Sequence, residues 1–331
     1  MFKKSLVAGL VGAILVTSGA LFGPGASSQA HAALAMKPPK HYRIVLVAGI
    51  ASDAFYITMS HGAQAEARLL GASLQFTGSP ANFSPSTQLP YLNAAIARKP
   101  DLILIAPTDK VAMQAPIQRA VNAHIPVILV DTTLNNPSIA VTTISSDNIA
   151  GGIAAAKALA QAIGYKGKVA GVSVTPGIST TDQRLQGFDQ ELKKYPHIVN
   201  IGTTYAGDDP TRAAAIAKAL VVSHKDLAGI FAMNVVTGDG VIAGAREARV
   251  AGKLKLVEFD AEPVQIQAVR NGTVAALIAQ DPYKIGQLGV QLGIAYLNGN
   301  HHLQRHYGTG EAIITRVNLN NPSIKEYLYS K

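Results

Sequence analysis

The chain has no cysteine and no tryptophan among its 331 residues, and only 15% of them are charged. Without cysteine there is no disulfide framework, no thiolate-held zinc, no iron–sulfur cluster and no cysteine nucleophile. A lipid anchor through an N-terminal cysteine is excluded on the same ground. The charged fraction lies well below the usual value of about 25%, which argues against disorder. Acidic residues are late to appear: the first is Asp53. Past residue 35 no run of about 18 or more uninterrupted apolar residues occurs, so the mature chain is expected to be soluble. What remains is a folded chain, 48% hydrophobic, long enough for about two domains. Its formal net charge of +9 admits anionic partners without naming one.

The first 35 residues read as an address. Met1-Phe2-Lys3-Lys4 is a short basic start, 6–22 is uncharged and apolar, and 23–35 is small and polar with two small-x-small ends, Ala30-His31-Ala32 and Ala33-Leu34-Ala35. That is the layout of a secretory signal peptide, with cleavage expected after Ala32 or Ala35. The mature protein is then periplasmic or secreted and carries no cysteine-linked lipid. Losing Lys3 and Lys4 leaves a net charge of +7.

From Tyr42 on, two patterns alternate. Short β-branched runs at 44–48, 74–77, 102–106, 127–130, 169–174, 199–205, 229–232, 254–259 and 275–279 read as buried strands. Alanine-rich stretches with helical spacing fall at 57–70, 87–98, 113–123, 148–163, 180–194, 211–223, 236–249, 264–271 and 285–298. Continuous apolar strands separated by helices mean parallel sheets covered on both faces. So many strands exceed one small core, and the expected architecture is α/β with two Rossmann-like lobes. An extra run at 139–144 leads into Ser145-Ser146-Asp147 with no helix between, and this reads as a crossover between lobes.

In open parallel sheets, ligands bind beyond the carboxyl ends of the strands. Asp131, Asn234, Asp260 and Gln280 each end or follow a strand, and Asp53 with Phe55 and Tyr56 follows the first. An aspartate after a strand is by itself an ordinary helix cap or turn former. Recurrence on the same edge is what points to a site. Carboxylates accept from hydroxyls, amides both give and accept, and aromatic faces cover the C–H face of a sugar ring. The set suits a small, neutral, polyhydroxy ligand that sheds its water, and it suits an anion poorly.

At these residues the chain resembles a type I periplasmic sugar-binding protein of the ribose-binding group, over essentially the whole mature sequence. The markers are Gly62-Ala63-Gln64-x-Glu66-Ala67, Ala106-Pro107-Thr108-Asp109, Ile125-Pro126-Val127 with Asp131, Ser146-Asp147-Asn148-x-x-Gly151-Gly152, Arg184-x-x-Gly187-Phe188, Phe259-Asp260 and Ile278-Ala279-Gln280. The resemblance implies two lobes joined by three crossovers, near Ser146, near Asp281 and near 310–312. Lobe 1 would then be 36–145 plus 281–310, and lobe 2 would be 146–280 plus 311–331. A sugar would be trapped between them by hinge closure. Lobe 1 would supply Asp53, Phe55, Tyr56 and Asp131. Lobe 2 would supply Asn234, Phe259 and Asp260, with Gln280 at the hinge. Members of the group deliver a sugar to the membrane subunits of an ABC permease as monomers, need no cofactor or metal and are not enzymes. Docking of the sugar-loaded form on a chemoreceptor or sensor is a second possible role.

The pocket departs from a ribose binder. Thr132 and Asp182 stand where ligand-contacting arginines fall in the group, the latter two residues before Arg184. Asp208 stands near an aromatic position of the second lobe, and Gly49 replaces a serine of the first strand. Another pentose, a hexose or a polyol is the expected ligand.

Two rival readings remain. Lactose-repressor-like regulators share the implied fold but carry a DNA-binding domain where this chain has its leader, and the basic residues form no stripe, so no nucleic acid is expected. Gly238-Asp239-Gly240-Val241-Ile242-Ala243, with Asp260 downstream, fits a loose dinucleotide pattern and makes an exported NAD-type oxidoreductase a remote alternative. His301, His302 and His306 read as surface histidines near a turn rather than a metal site.

Overall fold

The computed structural model describes residues 41–329, so the leader expected over 1–35 lies outside the described residues. Among the described residues, twelve strands and nine α-helices follow one another in near-strict alternation. In lobe 1, β1 (Arg43–Val47), β2 (Ser73–Thr77), β3 (Leu102–Ile105), β4 (Val127–Val130), β5 (Thr142–Ser146) and β11 (His306–Thr309) form one sheet in the order β11-β5-β4-β3-β1-β2. Every pairing in it is parallel. In lobe 2, β6 (Gly167–Ser173), β7 (Ile198–Tyr205), β8 (Leu227–Ala232), β9 (Lys255–Phe259), β10 (Ala276–Gln280) and β12 (Glu311–Ile314) run in the order β12-β10-β9-β8-β6-β7. Here β12 alone is antiparallel, against β10.

The strand sequences explain the layering. LILI of β3 and VILV of β4 are buried at every position, as sheets covered on both faces require. The covering helices are α1 (Ala54–Leu69), α2 (Pro85–Ala97), α3 (Gln114–Asn122) and α9 (Pro282–Leu297) on lobe 1. On lobe 2 they are α4 (Asn148–Ala162), α5 (Ser179–Leu192), α6 (Pro210–Ser223), α7 (Val235–Glu247) and α8 (Pro263–Arg270). Helix starts are marked by side-chain caps from Asp53, Ser84, Asp147, Asp209, Asn234 and Asp281. The run at 139–144 does not itself cross between the lobes: it begins at the end of a 3-10 turn, Pro137–Ile139, and its residues 142–144 belong to β5 of the first sheet, with the passage following that strand. Three short segments pass between the sheets: from β5 to α4, from β10 to α9 and from β11 to β12.

Glycines set two helix crossings. A Cβ on Gly62 of α1 would lie 2.0 Å from the Tyr283 carbonyl oxygen, and one on Gly286 of α9 would lie 2.0 Å from that of Met59. Lobe 2 repeats the arrangement: Gly152 of α4 faces the Arg184 carbonyl oxygen at 2.1 Å, and Gly187 of α5 faces that of Ile149 at 2.1 Å. Backbone meets backbone at both crossings, and the glycines of the sequence markers make that approach possible. Gly240 serves the same end. Its Cβ would fall 2.4 Å from the Pro210 carbonyl oxygen on α6, which gives the dinucleotide-like pattern a packing role.

Glu258 of β9 is fully buried. One oxygen accepts from Gln265 Nε2 at 3.2 Å and the other has no partner among the described residues. Burial pushes its carboxyl up to about 8; the Gln265 bond and Arg246 oppose the shift and Glu262 adds to it. The folded protein therefore holds a proton that the unfolded chain releases near 4.5. Stability should fall as pH rises from there to about 8, because the unfolded state binds fewer protons across that window. Glu258→Gln is expected to leave stability unchanged near pH 4 and to raise it by up to about 5 kcal/mol above pH 8, at about 1.36 kcal/mol per pH unit across that window. Urea melts of both proteins at the two pH values check this; equal stabilities at high pH would sink it.

Candidate functional site

The carboxyl ends of both sheets face one cleft, lined by residues of both lobes. Asp131 follows β4 and Asp260 follows β9. Both adopt left-handed backbone, φ 64° and 81°, a conformation that aspartate tolerates better than most side chains. Each backbone N–H donates to the next strand, Asp131 to the Ile144 carbonyl and Asp260 to that of Ile278, both at 2.8 Å. The two lobes thus present equivalent carboxylates by the same local turn.

Their hydrogen bonds differ. Tyr56 Oη donates to Asp131 Oδ2 at 2.7 Å, and Oδ1 takes nothing from the described residues. Burial pushes the Asp131 carboxyl up to about 6, with the Tyr56 bond and Arg184 opposing and Asp260 reinforcing the shift. Asp260 already accepts three hydrogen bonds within the protein. Its Oδ1 accepts from Gln280 Nε2 at 2.7 Å and Tyr329 Oη at 2.8 Å, and its Oδ2 accepts from the Val235 N–H at 3.1 Å. Asp53 caps α1 by accepting from the Phe55 N–H at 2.8 Å; burial pushes its carboxyl up to about 8, the Phe55 bond opposing and Asp260, Glu262 and Asp131 adding to the shift.

Arg184 is the buried cation of the cleft. Its Nε donates to Asn148 Oδ1 at 2.9 Å and its Nη1 to the Met233 carbonyl at 2.8 Å. The guanidinium lies 3.6 Å above the centre of the Phe259 ring, a cation–π contact. Phe259 itself is fully buried beneath Arg184 and does not line the cleft. Asn234 lines it and caps α7 through Oδ1, leaving Nδ2 without a partner among the described residues. Thr132 lines the cleft, but its hydroxyl is committed to the Pro107 carbonyl at 2.7 Å. Asp208 lines it too and accepts from the Phe83 N–H at 2.9 Å; burial pushes its carboxyl up. Asp182 stays outside the cleft and pairs with Lys110 at 2.6 Å. Gln280 Oε1 is buried without a partner among the described residues.

Phe83 is an aromatic wall that sequence reasoning missed. Its ring stacks on Tyr56 at 6.5 Å, and Phe55 meets Tyr56 edge-on at 5.1 Å. The signal was Gly49: a Cβ there would fall 2.1 Å from the Phe83 ring. Tyr329, which packs on Phe55 at 5.8 Å and holds Asp260, was missed as well. Of the three histidines, His306 bonds Thr143 at 2.9 Å and His301 packs on Tyr296 at 4.8 Å.

Two α/β lobes joined by three strand-end segments, with a polar and aromatic cleft between them, define a two-lobed solute-binding protein. The family model described as "Periplasmic binding protein domain" matches residues 44–301, and the chain belongs to that family. The ribose import binding protein of Salmonella typhimurium is 33% identical over 260 residues, which cover 77% of this chain and 85% of that protein. Among solved structures, an ABC transporter solute-binding protein from Agrobacterium vitis bound with α-D-tagatopyranose is 40% identical with a TM-score of 0.86, covering 88% of this chain and 100% of that one. A carbohydrate transporter solute-binding protein from Agrobacterium radiobacter in complex with D-arabinose is 27% identical with a TM-score of 0.83, covering 88% and 99%.

Proposed function

We propose that this chain is the solute-binding component of an ABC importer, which holds a neutral monosaccharide or sugar alcohol between its lobes and delivers it to a membrane permease. One observation carries the reading: the buried cleft presents unfilled uncharged and carboxylate acceptors beside unfilled donors. Asp131 Oδ1, Asp208 Oδ1 and Gln280 Oε1 take no hydrogen bond from the described residues, and the Asp53 carboxyl, held protonated by burial, adds a donor. Beside them stand the donors Arg184 Nη2 and Asn234 Nδ2, and the Thr180 hydroxyl, which can do both. A ligand that fills such a site offers several hydroxyls, each able to donate to one of these acceptors and to accept from one of these donors, as a free sugar does. Phosphate or carboxylate groups would meet Asp131, Asp208 and Asp260 in low dielectric. The sugars held by the two similar solute-binding proteins support the same class.

In this reading the protein works in the periplasm after losing its leader, acts as a monomer and performs no chemistry. The lobes divide at the three passages between the sheets, as 36–145 plus 281–310 and 146–280 plus 311–331. Sugar meets lobe 1 first, with Asp131 taking hydroxyls and the Phe55, Tyr56 and Phe83 rings covering its apolar face. Closure then adds Arg184 and Asn234 from lobe 2. The ligand favours the closed arrangement only by its extra contacts there.

A thermal-shift panel tests this. D-tagatose, D-arabinose, D-ribose, D-allose and their alcohols should include a ligand that adds about 2.7 kcal/mol of stability at one hundred times its Kd. Sugar phosphates and uronic acids should add nothing. A panel without any shift would refute sugar binding.

A further inference from the structure

Direct contacts bridge the lobes beside the cleft, and Lys110 carries two of them. Its Nζ pairs with Asp182 Oδ2 at 2.6 Å, and its backbone N–H donates to the Gly177 carbonyl at 3.2 Å. Lys110 follows β3 in lobe 1, whereas Gly177 and Asp182 stand at the start of α5 in lobe 2. Both partners are held in place beforehand. The Lys110 carbonyl accepts from the Asn135 N–H at 2.9 Å within lobe 1. Both Asp182 oxygens accept from the Gly177 N–H at 3.3 Å within lobe 2. The Thr133 N–H adds a bond to Ser179 Oγ at 2.8 Å, again from lobe 1 to lobe 2. Neither Lys110 nor Asp182 lines the cleft.

We propose that the Lys110–Asp182 pair is a positioning latch: it sets how long the cleft stays shut, and so its sugar affinity, without touching the sugar. The proposal rests on the sugar-binding reading for its affinity readout only. An ion pair can form just when the lobes meet, so its interaction counts wholly toward the closed arrangement and lowers the cost of reaching it. Both side chains are about one-third exposed, 32% and 33%, so the pair is screened by salt and its effect is modest.

The chain has no cysteine, so a single dye can be placed on each lobe, through Ala94→Cys and Lys225→Cys at exposed positions. Lobe separation is read by energy transfer without sugar, and D-tagatose release is read by stopped flow at low and high salt. Lys110→Met should widen the sugar-free separation and speed release about two- to fivefold, with the association rate unchanged. Release from the wild type should quicken with salt, while release from Lys110→Met should not. Lys110→Arg should restore wild-type behaviour, and Asp182→Asn combined with Lys110→Met should add nothing to either single change. Unaltered separation and unaltered release in Lys110→Met would overturn the latch. If no sugar of the panel binds, the sugar reading fails on its own, and the sugar-free separation still decides for or against the latch.

Discussion

Asp131→Ala is expected to bind D-tagatose, or whichever sugar of the panel binds best, about 2–4 kcal/mol more weakly, roughly 30- to 1,000-fold in Kd. The substitution removes the open acceptor Oδ1 and leaves the Tyr56 hydroxyl, donor to Oδ2 at 2.7 Å, without a partner in a buried site. Fold stability should change far less than affinity, because the lost groups face the cleft. The equivalent Asp260→Ala behaves differently. Its oxygens already serve Gln280, Tyr329 and the Val235 N–H, so alanine strands three buried donors and costs stability even without ligand. Titration calorimetry beside urea melts separates the two. Wild-type affinity in Asp131→Ala would show that the sugar lies elsewhere.

Gly152→Val is expected to cost about 3 kcal/mol of stability, the upper part of the range for overpacked interiors. A side chain at this position meets the Arg184 carbonyl oxygen at 2.1 Å, and backbone cannot swing aside as a side chain can. Either α4 and α5 separate or the turn carrying Arg184 shifts. The guanidinium then loses its seat on Phe259 and its bonds to Asn148 and Met233. Weaker sugar binding should therefore accompany the lower melting point, although residue 152 is not in the cleft. Gly71→Val, at a helix end with open space around it, pays only for its positive φ of 70° and is the control for backbone strain. Equal losses in both variants would show that the crossing is not the cause.

The α/β architecture was legible because buried strands such as β3 and β4 are uninterrupted apolar runs and the helices carry their caps. Strand-end acceptors were legible for a related reason: the last residue before a turn sits where ligands bind in such sheets. β11 and β12 were not, since each is four residues long, lies at a sheet edge and mixes polar with apolar residues. Phe259 shows the limit of counting residues along a strand. It neighbours Asp260 in sequence, but its ring turns into the core under Arg184. Asp182 shows another limit, because the lysine that holds it is 72 residues away in the other lobe. Phe83 sits in a loop with no periodicity, and only the missing side chain of Gly49 marks its place.

The edge strands β11 and β12 also bear on the order in which the molecule assembles. They are consecutive in the chain, 306–309 and 311–314, yet each closes the rim of a different sheet. Most of lobe 2, from α4 to β10, is one unbroken stretch that needs nothing from outside to collapse. Lobe 1 must wait for α9 and β11, which reach it only after the chain has passed through the other lobe. Contacts this distant in sequence close large loops and slow folding. A chain emerging from the ribosome therefore keeps its first lobe unfinished until nearly all of it has been made.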